Sequence, residues 1–175
     1  MNISRSLARF AQQLREPRSI ARFCVLFCVY TLVAFSALYA LQDVVVEPFT
    51  RVIAWIAYKV MRAFGSEAWI NGVEVGVSTF GVQIRNNCNA IYEMGLYSAA
   101  VLAYPASARS RTTGILFGVV VLYVVNLIRV LSLIYIGYRM PGSFEAAHVY
   151  VWQVLFLVVV GALWFSWIGR IRRVA

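Results

Sequence analysis

The chain is 175 residues long, 62% hydrophobic and 13% charged, with a formal net charge of +9. Soluble domains are about 45–50% apolar and about 25% charged, so this composition excludes an ordinary water-soluble domain and points to one small polytopic membrane domain. A charge of +9 would suit nucleic acid, but the basic residues stand between hydrophobic stretches, where they set topology. The expected surroundings are membrane lipid, with no nucleic-acid partner.

In chain order, residues 1–22 place Ile3, Leu7, Phe10 and Leu14 at helical spacing with arginines on other faces, until Pro17 ends the pattern. They read as a basic amphipathic helix on the inner leaflet. A hydrocarbon core needs about 20 apolar helical residues to cross it. Residues 23–42 supply the first span, too long for a signal-peptide core and with no small-residue cleavage site after it. Residues 43–87 are read as extracytoplasmic. Within them, "EPFTRVIAWIAYKVMRAFG" sets Arg51, Lys59 and Arg62 near one helical face, with Ile53, Ile56, Ala57 and Val60 elsewhere. Three cations so close together argue for an interfacial helix on the outer surface over a fifth span.

"NGVEVGVSTFGVQIR" then changes period. Val73, Val75 and Val77 alternate, and after Ser78-Thr79 the phase flips to Phe80, Val82 and Ile84. Two short strands joined by a tight turn are predicted. A lone hairpin is marginal in water, so it must pack on the helices or on a ligand. Residues 88–104 form a short second span with Glu93 inside it, and 105–113 a cytoplasmic loop. Residues 114–138 form a third span broken only by Arg129, and 139–145 an outer loop. Residues 146–169 form the fourth span, carrying His148, the only histidine; 170–175 are a cytoplasmic tail. The expected fold class is an all-α four-span transmembrane bundle with an interfacial helix and a small extracytoplasmic β-hairpin. No internal repeat or low-complexity segment is present.

Orientation follows from the arginines. Arg5, Arg9, Arg15, Arg18, Arg22, Arg109, Arg111, Arg170, Arg172 and Arg173 fall on one side. The other side carries Arg51, Lys59, Arg62, Arg85 and Arg139 against Asp43, Glu47, Glu67, Glu74 and Glu145. The positive-inside rule then puts both termini in the cytoplasm.

Three residues do not belong in a plain bundle. Arg129, in "VVNLIRVLSLIYIGY", costs about 2.5–3.5 kcal/mol to insert at a span centre and reads by default as functional, with snorkelling to a headgroup as the alternative. It lies roughly 22 Å of helix beyond Gly114, in the outer third of the bilayer. Asn126 and Ser132, three residues to either side, share its face. His148 opens the fourth span from the outer loop, where a polar anchor is the bland reading. Cys88 opens the second span from the same side, and a free cysteine alone is usually a small apolar residue.

Together the three come out at one outer level from three separate spans. A thiol, an imidazole and a guanidinium suffice for acyl transfer. The thiolate attacks a carbonyl, histidine moves protons to the leaving amine, and arginine stabilises the oxyanion. Cys24 and Cys28 read as apolar filler near the cytoplasmic end of the first span, across the bilayer from Cys88. That leaves Cys88 a free thiol on an oxidising side. Glu93, about one turn inside Cys88, either orients His148, pairs with Arg129, or forms a plain buried ion pair. No metal-ligand spacing, Gly-rich phosphate loop or GxSxG elbow occurs, so neither metal nor cofactor is expected.

"NNCNAIYEMGLY", "NLIRVLSLIYIGY" and "AAHVYVWQVLF", in that order, resemble the exosortase/archaeosortase family of integral membrane cysteine transpeptidases. The resemblance covers roughly residues 80–170, and the small size is most similar to the short exosortase H type. The family pattern is a Cys at the head of one helix, N-x-x-R in the next and a His opening the last. Carried over, it implies Cys88, Arg129 and His148 as catalytic residues, with Asn126, Glu93 and Asn87 supporting. Where many relatives have a small residue or Gly just after the Cys, this chain has Asn89-Ala90.

The implied partners are substrate proteins ending in a PEP-CTERM-like tail, that is, a short motif, a hydrophobic helix and an Arg cluster. The tail is cut through a Cys88 thioester at the outer edge of the bacterial cytoplasmic (inner) membrane and the protein passed to an acceptor. Asn126 would fix Arg129, and the strands at 73–85 either grip an extended recognition motif by edge pairing or simply pack. Two rivals remain. One is a cysteine protease in which water resolves the thioester; the other is a non-catalytic assembly protein in which Arg129 and Glu93 merely pair. A transporter is disfavoured, because one polar cluster at one surface offers no through path. The residues leave the acceptor and the oligomeric state open.

Overall fold

A computed structural model describes residues 17–85 and 88–174. The expected inner-leaflet helix lies mostly outside them, as does Asn87. The first long helix, α1 (Pro17–Ala40), carries no charge after Arg22, and the chain passes through a π-helical turn, Gln42–Val46, into α2 (Glu47–Ala63). Pro48 near the start of α2, with Glu47 in its first turn and Arg62 in its last, suits the helix dipole. Its inner stripe of Thr50, Ile53, Ala54, Ala57 and Met61 is buried, while Arg51, Lys59 and Arg62 face out.

Three strands follow, β1 (Ala68–Asn71), β2 (Glu74–Val77) and β3 (Phe80–Gln83), paired antiparallel in that order. The expected hairpin is therefore two-thirds of a sheet. β1 was not foreseen because "AWIN" is too short to show alternation. Two-residue turns close both hairpins, each with a left-handed residue: Gly72 at φ 61° and Ser78 at φ 51°. The Trp69 ring lies over Gly76 and Gly81, where any side chain would collide with it, and its Nε1 donates to the Ser78 carbonyl at 2.8 Å.

The rest is helical: α3 (Ile91–Ala103), α4 (Ala108–Arg139), then a 3-10 turn (Pro141–Ser143), one helical turn (Phe144–Ala146) and a π segment (Ala147–Val151) leading into α5 (Trp152–Val174). Three helical stretches are long and apolar enough to cross a membrane: Ile20–Ala40, Ala108–Arg139 and Pro141–Arg172. The sequence-expected span at 88–104 is a 13-residue helix, about 20 Å long, because Cys88, Asn89 and Ala90 form a loop ahead of it.

Two cores organise these elements. One joins α2, β2 and α4 through Ile53, Ala57, Val75, Ile84, Val130 and Ile134. The other joins α3, α4 and α5 through Met94, Tyr97, Leu122, Phe156 and Trp167. Cys88 packs against the first core and Ala90 is buried in the second, so the loop between them bridges both.

Candidate active site

The loop at Cys88 is held from several directions. Cys88 donates its N–H to the Arg85 carbonyl at 2.8 Å. Asn89 is fully buried and uses both ends of its amide. Nδ2 donates to Thr50 Oγ1 of α2 at 2.7 Å, and Oδ1 accepts the Ile91 N–H at 3.1 Å. Thr50 in turn donates to the Val46 carbonyl at 2.8 Å. Ala90 sits at φ 62°, a left-handed conformation costing roughly 1–2 kcal/mol outside glycine. A glycine would adopt this conformation without that cost. Neither Asn89 nor Thr50 was a sequence candidate. The asparagines flanking Cys88 were a signal, but Thr50 stands 39 residues away on another element.

The turn brings Cys88 Sγ to 3.3 Å from His148 Nε2. Arg129 Nη2 donates to the same sulfur at 3.9 Å, near the outer limit for such a contact. His148 is supplied by the π segment ahead of α5, and its ring stacks on Phe144 at 5.8 Å between centroids. Arg129 is 3% exposed on α4, its guanidinium 5.9 Å from the Phe156 ring. All three line one cavity of about 470 Å³, walled on one side by β3 and on another by Val130 and Leu133 of α4.

Cys88 lies outside the helices. Burial pushes its thiol up from the usual range, and Arg129 pulls it back part of the way, opposed by Glu93. Burial wins, and the His148 Nε2 stands at hydrogen-bond range of the raised thiol.

The supporting residues are placed otherwise than expected. Asn126 is fully buried, and neither of its amide atoms has a hydrogen-bond partner among the described residues, so no hydrogen bond joins it to Arg129. Ser132 bonds back to the Arg129 carbonyl at 2.9 Å. Among the described residues Glu93 forms no ion pair with Arg129 and no hydrogen bond to His148, and its Oε2 is buried without a hydrogen-bond partner. Helical spacing placed these residues near the site but could not say what they touch. Cys24 and Cys28 are exposed on α1 and do not line the cavity. Among the described residues, no three His, Cys, Asp or Glu side chains converge as metal ligands.

The chain matches the family model described as Transmembrane exosortase (Exosortase_EpsH) over residues 14–165. It belongs to the transmembrane exosortase family. No curated protein and no solved structure matches it. The exosortase match runs from just before α1 into α5, so it takes in every element that contributes to the cavity.

Proposed function

We propose that this exosortase-family protein is a membrane-embedded cysteine transpeptidase for proteins carrying a C-terminal motif, hydrophobic helix and Arg cluster. The observation that carries the reading is the convergence of Cys88, His148 and Arg129 from segments 41 and 60 residues apart. In this mechanism His148 Nε2 takes the Cys88 proton and the sulfur attacks the carbonyl ahead of the anchor helix. Arg129 stabilises the tetrahedral oxyanion. The C–N bond breaks, the amine leaves with the proton from His148, and the protein is held as a Cys88 thioester. An acceptor amine then attacks, releasing the thiol; if water attacks instead, the outcome is hydrolysis of the same signal.

The topology that goes with this chemistry has four crossings, with Ile91–Ala103 as the short one, both termini in the cytoplasm and the site at the outer face of the inner membrane. Trp55 and Val52 are exposed on α2, with Lys59 over the Trp55 ring, and Phe64 is exposed at its C-terminal cap, as an interfacial helix requires. The non-catalytic alternative invokes an Arg129–Glu93 pair, and among the described residues no such ion pair occurs, which favours the catalytic reading.

The deciding experiment co-expresses the protein with a tailed reporter. Cleavage is expected with the native chain and none with Cys88→Ala, and trapping the reporter as an adduct on Cys88 identifies the nucleophile. Normal cleavage by Cys88→Ala would end the proposal. Mass spectrometry of the product's new C-terminus separates transfer from hydrolysis.

A further inference from the structure

Among the described residues, the strand order leaves β3 as an edge. Ile84 donates its N–H to the Val73 carbonyl at 3.0 Å, which sets the alternation along the ladder. With Val73 and Ile84 a hydrogen-bonded pair, Val75–Val82 and Val77–Phe80 are bonded pairs too. Between them lie Glu74–Gln83 and Gly76–Gly81, non-bonded pairs in which the β3 residue turns its N–H and C=O away from β2. The open edge of β3 is therefore made by the backbones of Gly81 and Gln83.

Both residues line the cavity that holds Cys88, Arg129 and His148. Strand edges are commonly blunted by charge or proline; this one reads Phe-Gly-Val-Gln, with neither. Its position relative to the base is also set. The Phe80 ring fills the space above Gly137, lies 5.5 Å from Phe144, and Phe144 stacks on His148. Edge, base and sulfur thus form one packed unit.

We infer that β3 is the docking edge for the substrate. The extended segment on the N-terminal side of the scissile bond adds to the sheet as a fourth strand, bonding to the backbones of Gly81 and Gln83. The inference rests on the acyl transfer proposed above, since a chain must lie extended beside the sulfur for its carbonyl to be attacked. Main-chain pairing provides affinity, while side chains at alternate positions provide specificity.

The test uses the full chain in lipid vesicles and a semi-synthetic tailed reporter, with the amides ahead of the scissile bond N-methylated one at a time. Cleavage is expected to fall about three- to tenfold at alternate positions only, the size of one lost hydrogen bond. In the protein, Gln83→Pro removes an outward N–H and leaves the bonds to β2 intact. The KM for the reporter is expected to rise by a similar factor, with iodoacetamide alkylation of Cys88 unchanged. Equal losses at every position, losses at none, or an unaltered KM for Gln83→Pro would overturn the strand pairing while leaving acyl transfer standing. An unmodified reporter that the native chain does not cut would overturn acyl transfer and the docking with it.

Discussion

At Cys88, burial and charge pull in opposite directions, and the balance is measurable. Burial raises the thiol and Arg129 lowers it, so the alkylation rate of Cys88 should climb with pH through the alkaline range. Arg129→Gln removes the lowering influence. The whole profile should then move to higher pH, with slower alkylation near neutrality; a profile that stayed put would show that Arg129 does not act on the sulfur. In a cleavage assay, Arg129→Ala should lose about 10²–10³ in rate, the usual result of deleting an oxyanion donor. Arg129→Lys should also lose rate, because a point charge replaces a planar fork. Cys24→Ala and Cys28→Ala should be near neutral, since both thiols face outward on α1. Cys88, Arg129 and His148 were legible in the sequence as candidates because each is expensive or out of place in an apolar span. What Asn126 and Glu93 touch was not, because a hydrogen bond depends on rotamers and ångström distances that a helical repeat does not carry.

Among the elements, the clamp between α2 and the Cys88 loop has its own signature. Thr50→Val keeps the shape but leaves Asn89 Nδ2 buried without its acceptor, a penalty of about 1–3 kcal/mol. Turnover should fall with little change in KM, and Thr50→Ser, which keeps the hydroxyl, should restore it. Gly137→Ala should act on the other wall. A methyl there would overlap the Phe80 ring, destabilising the protein by about 1–3 kcal/mol and lowering its thermal midpoint in detergent. Apolar run length revealed α1, α4 and α5, and period and phase revealed the second hairpin. They did not reveal β1, four residues with no alternation, nor that α2 is part of a core as well as an outward-facing helix.

Over the whole molecule, topology is open to direct test. With Cys24, Cys28 and Cys88 replaced, Ser107→Cys should label only after the membrane is permeabilised, and Gly142→Cys should label from outside in intact cells. The reverse pattern would invert the site. Hydrophobic runs, the arginine bias and three misplaced polar residues are properties of the chain in one dimension, and by themselves they determined a membrane-embedded helical protein and nominated Cys88, Arg129 and His148 as its candidate site. Tertiary structure alone decided that sulfur, imidazole and guanidinium share one cavity, that Thr50 holds the loop from 39 residues away, and that β3 presents its open edge beside them. The physical reason is that such contacts depend on how two cores pack around a left-handed Ala90, and packing is a property of the assembled fold that no local stretch of residues encodes.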